Sequence, residues 1–384
     1  MDFSLSEEQI MLRDMVQDFA AHEIAPVISH FEDNHLFPAE IVRKMGELGL
    51  MGMTIPPEYG GSKTDSLSFI LALEELSRVS PTICLLLSVH ASLFARGILE
   101  FGTAEQKAKY LPRAARGEIV GAFSLTEPGA GSDVTALKTK AVRNGRHYIL
   151  NGVKAWVTTG SEAEALILFA QTEKEAGPRK LSAFIVERNF PGFRVARIEE
   201  KMGLHSSLTA EIALEDCRVP VENLLGEEGK GASIALHLLD GSRIGIAAQA
   251  VGLSQQALEL AVRYAKQRQA FGHPIAEFQA VQFMIADIAT LVEASRLLTY
   301  RAADAYDRGL PYAKEAAMAK LYSSEAANRV AYLALQIHGG YGYSKEYQIE
   351  RIYRDARVLS IYEGTSEIQR LVIARHLLKD SSIR

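Results

Sequence analysis

The chain is short of several things, and each shortage narrows what it can be. Its 384 residues include two cysteines, Cys84 and Cys217, too few for a disulfide framework. A reducing compartment is expected. Positive charge is not in excess, since 42 Lys and Arg face 47 Asp and Glu for a formal net charge of −5. With no Lys/Arg run, nucleic acid is not an expected partner. No apolar run is expected to approach the roughly 20 residues of a membrane helix, so no membrane insertion is expected. The N-terminus, Met1-Asp2-Phe3-Ser4-Leu5-Ser6-Glu7-Glu8, is acidic where signal and transit peptides are basic. No metal site is expected. What is present, 48% hydrophobic and 23% charged residues, fits a globular protein of roughly two or three domains.

Helical and β patterns are segregated along the chain. Helical periodicity runs from Ser6 to about Val27, from Pro38 to Leu48, from Leu67 to Val79, from Thr82 to Phe101 and from Ala104 to Arg116. Pro56-Pro57-Glu58-Tyr59-Gly60-Gly61 punctuates them as a rigid loop. From Ile119 to about Val219 the segments are short and β-branched. Ala165 to Phe169, Ser182 to Val186 and Trp156-Val157-Thr158 read as strands. Asn144-Gly145 and Asn151-Gly152 both read as hairpin turns flanking Arg146 to Leu150. Gly226-Glu227-Glu228-Gly229-Lys230-Gly231 closes this region. Three apolar stripes then indicate packed antiparallel helices. They are Ile246, Ala250, Leu253, Ala257, Leu260, Tyr264; Val281, Ile285, Ile288, Val292; and Met318, Tyr322, Ala326, Val330, Leu333, Ile337. The fold class is α+β, in three domains: a helical one over 1–118, a compact β one over 119–228 and a helical bundle over 229–384. A doubly wound parallel sheet is disfavoured, because strands and helices do not alternate.

Five segments carry candidate chemistry. In Ile361-Tyr362-Glu363-Gly364-Thr365-Ser366-Glu367 a carboxylate sits in a helix break, before a glycine that adds no bulk beside a ligand. Thr365 fits a helix N-cap and Glu367 the first turn. Phe123-Ser124-Leu125-Thr126-Glu127-Pro128-Gly129-Ala130-Gly131-Ser132-Asp133 reads as a strand entering a loop with unspent N–H groups and hydroxyls. It suits a phosphate or a polar ring edge, or is a plain hairpin turn; it lacks a Rossmann fingerprint. Trp156, the one tryptophan, is either core or a cover for a flat ring whose edge Thr158 bonds. Arg268 and Phe271, between two bundle helices, offer a fixed cation and an apolar face. Gln336-Ile337-His338-Gly339-Gly340-Tyr341-Gly342-Tyr343 is a helix end with open amide edges.

Together these segments resemble the acyl-CoA dehydrogenase family in order and spacing, over nearly the whole chain, which implies that the middle domain is β-barrel-like and the C-terminal one a four-helix bundle. The resemblance implies FAD as cofactor, with the flavin against Phe123, Leu125, Thr126, Trp156 and Thr158 and with Ser132 near both flavin phosphate and the CoA chain. Arg268, Phe271 and Gln279 match positions that hold a neighbouring subunit's cofactor. Gln336, Gly339 and Gly340 match its adenosine contacts, and Thr365 and Glu367 match further cofactor contacts. Asp240, Arg243, Ser132 and Gly364 are implied substrate contacts. The implied reaction is α,β-desaturation of an acyl-CoA to the trans-2-enoyl-CoA, Glu363 taking the α-proton while the β-hydrogen leaves as hydride to flavin N5. Electrons would pass to electron-transferring flavoprotein, and the assembly would be a homotetramer, a dimer of dimers. One branch of the family places its base where this chain has Ser242, which cannot serve, so the base is expected at Glu363.

Departures from the family are Phe123 where tyrosine is common, Thr159 where asparagine is common, and Gln348 where a helix-opening proline is usual. Ser88 to Leu93 and Val292 to Tyr300 look like short-chain and short branched-chain members, so a short straight or branched acyl group is expected, in fatty acid β-oxidation or branched-chain amino acid degradation. A flavin-dependent oxidase or monooxygenase on the same fold is the alternative, and a non-enzymatic CoA-binding scaffold the third reading.

Overall fold

A computed structural model describes residues 4–172 and 180–379. Helix α1 (Glu7–Phe19) starts at a capping box, in which Ser6 and Gln9 exchange side-chain and backbone hydrogen bonds. It ends in a π-helical turn, Ala20–Ile24, and a short helix, α2 (Ile28–Asp33), follows where the sequence pattern gave none. Next come α3 (Ala39–Glu47), α4 (Ser66–Val79), α5 (Pro81–Ser88), α6 (Arg96–Phe101) and α7 (Ala104–Ala115).

A π-helical stretch, Val89–Ala95, joins α5 to α6. The resulting run Pro81–Phe101 has 21 residues and an 18-residue window of mean hydropathy 1.7. That corrects the expectation that no run is long and apolar enough to cross a membrane. This one is a core helix, since 89% of that window is buried inside the protein; Ser88, His90 and Ser92 had broken the apolar pattern. His90, fully buried, uses both ring nitrogens: Nδ1 accepts from Gly121 N–H (3.1 Å) and Nε2 faces the Ala114 carbonyl (3.2 Å). Burial holds its pKa down to about 4, so the neutral ring ties α7 to the first strand.

Eight strands form one sheet: β1 (Gly121–Ser124), β2 (Lys140–Asn144), β3 (His147–Val157), β4 (Ala165–Thr172), β5 (Lys180–Glu187), β6 (Phe193–Ile198), β7 (Ala210–Pro220) and β8 (Leu224–Leu225). The path is β6-β7-β3-β2-β4-β5-β8, with β1 beside β4. Strands β1 and β2 run parallel to β4, pairing with successive parts of it; the other pairs are antiparallel. Asn144-Gly145 turns the β2–β3 hairpin, as expected. Asn151-Gly152 does not turn; it is a bulge inside β3, against β7. Asn151 bonds Asp216 across the pair, its amide donating to the carboxylate (3.0 Å) and its oxygen accepting Asp216 N–H (2.8 Å). Gly152 is needed there because a Cβ would come within 2.5 Å of Thr139 Oγ1. Thr158 lies beyond β3, in a turn, so the expected strand ends at Val157.

The C-terminal part is helical: α8 (Gly231–Gln267), α9 (Gln279–Asp307), α10 (Ala313–His338), α11 (Ile349–Ala356) and α12 (Ser366–Lys379). Helix α8 packs on α4, α9 and α10, so helices from both ends of the chain share one core. The first two stripes are buried or packed against that core. The third is not uniform, for Tyr322 is 38% exposed. Each four-residue step overshoots a 3.6-residue turn by about 40°, so Tyr322 drifts off the line through Val330. Two buried carboxylates pin the loop before β7 to the helices. Glu32 accepts from Thr82 Oγ1 (2.6 Å), Ser206 Oγ (2.6 Å) and His205 N–H (2.7 Å), and Asp355 accepts from Leu204 N–H (2.7 Å).

Candidate active site

Helix α11 runs out through a 3₁₀ turn, Arg357–Ser360, and α12 does not begin until Ser366. Thr365 caps α12, its Oγ1 accepting Ile368 N–H at 3.3 Å, with Glu367 in the first turn. In the break, Glu363 and Gly364 both adopt left-handed backbone, φ 53° and 88°. For a glutamate this costs about 1–3 kcal/mol and persists only where surroundings over-determine it. They do. Gln369 Nε2 donates to the Glu363 carbonyl (3.2 Å) and the Gly364 carbonyl (2.9 Å). Lys320 Nζ donates to the Gly364 carbonyl at 2.7 Å. Tyr362 donates to Gln249 of α8, whose amide donates to the Pro81 carbonyl at 2.7 Å. A Cβ on Gly364, at φ 88°, would press within 2.7 Å of Gln369 Nε2, so a side chain there is strained.

The Glu363 carboxylate accepts a hydrogen bond from Ser242 of α8 at 2.7 Å. Burial pushes its pKa above the ordinary glutamate range, while the Ser242 hydroxyl and the charges of Lys320 and Arg243 pull the other way and lose. A raised pKa makes a carboxylate a better base at neutral pH. Arg243, 3% exposed, pairs with Asp240, and its Nε is buried with no partner among the described residues. Gln369 Oε1 and Ser366 Oγ are likewise buried and unpartnered. Such atoms are rare without a ligand or water to meet them.

The strand-and-loop segment is tied down by one buried carboxylate. Glu127 accepts Lys154 Nζ (2.9 Å), Lys138 N–H (2.6 Å) and Thr139 N–H (3.0 Å). Glu127 and Ala130 exchange backbone bonds across Pro128-Gly129, so the hairpin-turn reading describes the loop's tip. Lys154 Nζ also donates to the Leu125 carbonyl at 3.0 Å. In a trans peptide that turns the Thr126 N–H away from Lys154. Phe123 is half-buried against Phe169, Leu125 is buried, and Ser132 is exposed. Trp156 is not core. A bulge between Lys154 and Val157 and a left-handed φ of 59° turn its ring outward, 59% exposed.

Arg268 follows α8, its guanidinium 5.4 Å from the Tyr341 ring. Phe271, 93% exposed, tips a ribbon of Gln269–Ala270 and His273–Pro274, and exposed Gln279 opens α9. Arg268, Gly339 and Gly340 border one open recess of about 660 Å³, with exposed Gln336 in the last turn of α10. Thr365 and Glu367 border a separate recess of about 420 Å³ with Asn328 and Arg357. The structure thus gathers Asp240, Ser242, Arg243, Lys320 and Gln369 about Glu363 and Gly364, and sets Arg268 with Gly339 and Gly340 elsewhere. Lys320, Gln369, Gln249, Lys154 and Glu127 were missed in the sequence. One signal was available for Lys320: it interrupts Ala316-Ala317-Met318-Ala319, an otherwise apolar stretch.

These features suit a flavin nucleotide. An outward aromatic plane and a cation bordering an open recess are what a flat ring and a pyrophosphate need.

Family models described as the acyl-CoA dehydrogenase N-terminal, middle and C-terminal domains match residues 6–118, 122–217 and 229–378. An acyl-CoA dehydrogenase of Bacillus subtilis is 50% identical over 97% of this chain and 99% of its own length. The short-chain specific acyl-CoA dehydrogenase of Clostridium acetobutylicum is 47% identical over 99% of this chain and 100% of its own. Among solved structures, one from work on the electron transferring flavoprotein of Acidaminococcus fermentans superposes with a TM-score of 0.96 at 50% identity, covering 99% of this chain and 100% of that one. An acyl-CoA dehydrogenase complexed with FAD from Bacillus anthracis matches with a TM-score of 0.93 at 37% identity, covering 99% of this chain and 68% of that one.

Proposed function

This chain belongs to the acyl-CoA dehydrogenase family, an FAD-dependent enzyme family, and from that footing we propose that it desaturates a short straight or branched acyl-CoA to the trans-2-enoyl-CoA, with Glu363 as the base. The observation that carries the reading is the Glu363 carboxylate: presented by strained backbone, half-buried with its pKa raised, and hydrogen-bonded by Ser242.

The residues divide the work. Glu363 takes the α-proton, and its carboxylate becomes a neutral acid in an environment that favours the neutral form. Ser242 orients the carboxylate. Arg243, with its free Nε, and Asp240 meet the acyl-CoA, as does Gly364, whose lack of a side chain lets the thioester approach. Phe123, Leu125, Thr126, Trp156 and Thr158 hold the flavin ring, and Ser132 serves its phosphate and the CoA chain. Arg268, Phe271 and Gln279, with Gln336, Gly339 and Gly340, hold the cofactor of a neighbouring subunit; Thr365 and Glu367 complete the set. FAD, when bound, supplies the acceptor for the β-hydrogen and its electron pair. In support of a shared site, Phe271 is almost wholly exposed on its own chain.

On this reading the protein is a homotetramer with domain limits near 118 and 228. It works in the bacterial cytoplasm or mitochondrial matrix, in fatty acid or branched-chain amino acid breakdown, and passes electrons to electron-transferring flavoprotein. The test is an anaerobic titration of the holoenzyme with acyl-CoAs from propionyl to octanoyl, straight and branched. Bleaching of the flavin greatest at short chains, with slow reoxidation by oxygen, supports the proposal. Fast peroxide formation would instead assign an oxidase, and no bleaching by any acyl-CoA would remove the dehydrogenase reading.

A further inference from the structure

Lys320 lies on α10 among alanines, and its side chain is 0% exposed. Burying an ammonium is costly unless something nearby answers its charge. Among the described residues its one hydrogen-bond acceptor is the Gly364 carbonyl, at 2.7 Å, and it forms no direct salt bridge. A neutral donor would satisfy a carbonyl at less cost. The acids whose charge reaches it are Glu363, adjoining the carbonyl, and Glu367, exposed in the first turn of α12.

We propose that Lys320 is a positioning residue for the base: it holds the Gly364 carbonyl, and its charge keeps the neighbouring carboxylate ionised. The inference rests on Glu363 being that base.

The groups facing Glu363 come from three elements. Helix α8 supplies the Ser242 hydroxyl and Arg243, the latter already paired with Asp240. Helix α12 supplies Gln369, neutral and fully buried, on both carbonyls of the strained pair. Helix α10 supplies Lys320, the cation among them with no carboxylate bonded to it. Burial lowers the lysine's own pKa to about 8, which leaves it charged at neutral pH. The charge therefore acts through space at the carboxylate and through one carbonyl on the backbone that presents it. Within a buried site such an interaction is weakly screened.

The experiment measures the pH dependence of flavin bleaching by a saturating short acyl-CoA, in stopped flow, for holoenzyme carrying Lys320→Met, Lys320→Gln or Lys320→Arg. Lys320→Met removes charge and donor together; Lys320→Gln removes the charge and keeps a donor for the carbonyl. Both are expected to move the acid limb of the profile to higher pH by about one unit, a roughly tenfold slower reaction on the limb, recovering at high pH. Lys320→Arg, which keeps a charge, is expected to leave the limb near its original pH. Should Lys320→Met fail to fold, Lys320→Gln decides. A merely structural lysine lowers stability or flavin content and leaves the limb where it was, and that outcome overturns the proposal. Glu363→Gln is run alongside: if it still bleaches at the original rate, the base assignment has failed, separately from the role of Lys320.

Discussion

Replacing Lys154 by methionine tests how the loop proposed to meet the flavin is held. Lys154 is fully buried and meets Glu127, 6% exposed, at 2.9 Å. Removing one partner of a buried pair costs about 3–5 kcal/mol, since the other charge stays buried and uncompensated. Glu127 would keep its bonds to the Lys138 and Thr139 N–H groups, so we take the lower end, about 3 kcal/mol. The Leu125 carbonyl would lose its donor as well, freeing the Leu125–Thr126 peptide to rotate. If the whole cost falls on the FAD-competent loop, affinity drops by about two decades, at 1.4 kcal/mol per decade. The assay is reconstitution of the apoprotein with FAD, followed by quenching of flavin fluorescence. Lys154→Met with Glu127→Leu provides the internal check, because removing both charges leaves no buried ion and is expected to recover much of the affinity. Wild-type affinity and stability in Lys154→Met, or a double variant no better than the single, would refute the reasoning.

Three further outcomes follow from the same geometry. Burial and Glu32 raise the pKa of Asp355 to about 7, so the folded state holds that proton more tightly than the unfolded chain. The stability this gives is complete below about pH 4 and lost as pH rises through about 7. Asp355→Asn, which keeps an acceptor for Leu204 N–H, is expected to flatten the pH dependence of thermal unfolding between pH 4 and 8 and to raise the unfolding temperature at pH 8. A variant no more stable there contradicts it. Gly364→Ala places a methyl against Gln369 Nε2 in left-handed backbone, a strain of about 1–2 kcal/mol. Slower flavin reduction, about tenfold or more, is expected with FAD content unchanged, and a wild-type rate would mean the loop yields freely. Ser242→Ala removes a donor that favours the ionised carboxylate, so the acid limb of the bleaching profile is expected to rise by under one pH unit; a fall would reverse the assigned sign.

How much of this was legible in the sequence depends on whether the cause was local. The Thr365 cap, the Asn144-Gly145 hairpin and the helix break around Glu363 are short-range, and residue types announce them. Asn151-Gly152 carries the same turn signal and sits inside a strand, because Asp216 and Thr139, far away in sequence, set its backbone. Pro81–Phe101 hid its apolar length behind two serines and a histidine that the core accommodates. Lys320, Gln369 and Lys154 are polar residues at buried positions, and pattern reading assigns such residues to the surface. Lys320 and Lys154 reach groups of loops distant in sequence, the Gly364 and Leu125 carbonyls and the Glu127 carboxylate, which no spacing rule reveals, while Gln369 turns back on the carbonyls five and six residues before it. The motif around Glu363 was readable; the groups that hold it in its strained shape were not.

The most direct test is the reductive half-reaction of Glu363→Gln, in anaerobic stopped flow with a short acyl-CoA. Glutamine keeps the size and the acceptor for Ser242 but cannot take a proton. The account requires that this variant bind FAD and acyl-CoA normally while its flavin bleaches more slowly by about 10² or more, the scale of a positioned base. Bleaching at the wild-type rate would place the base elsewhere and contradict the central claim.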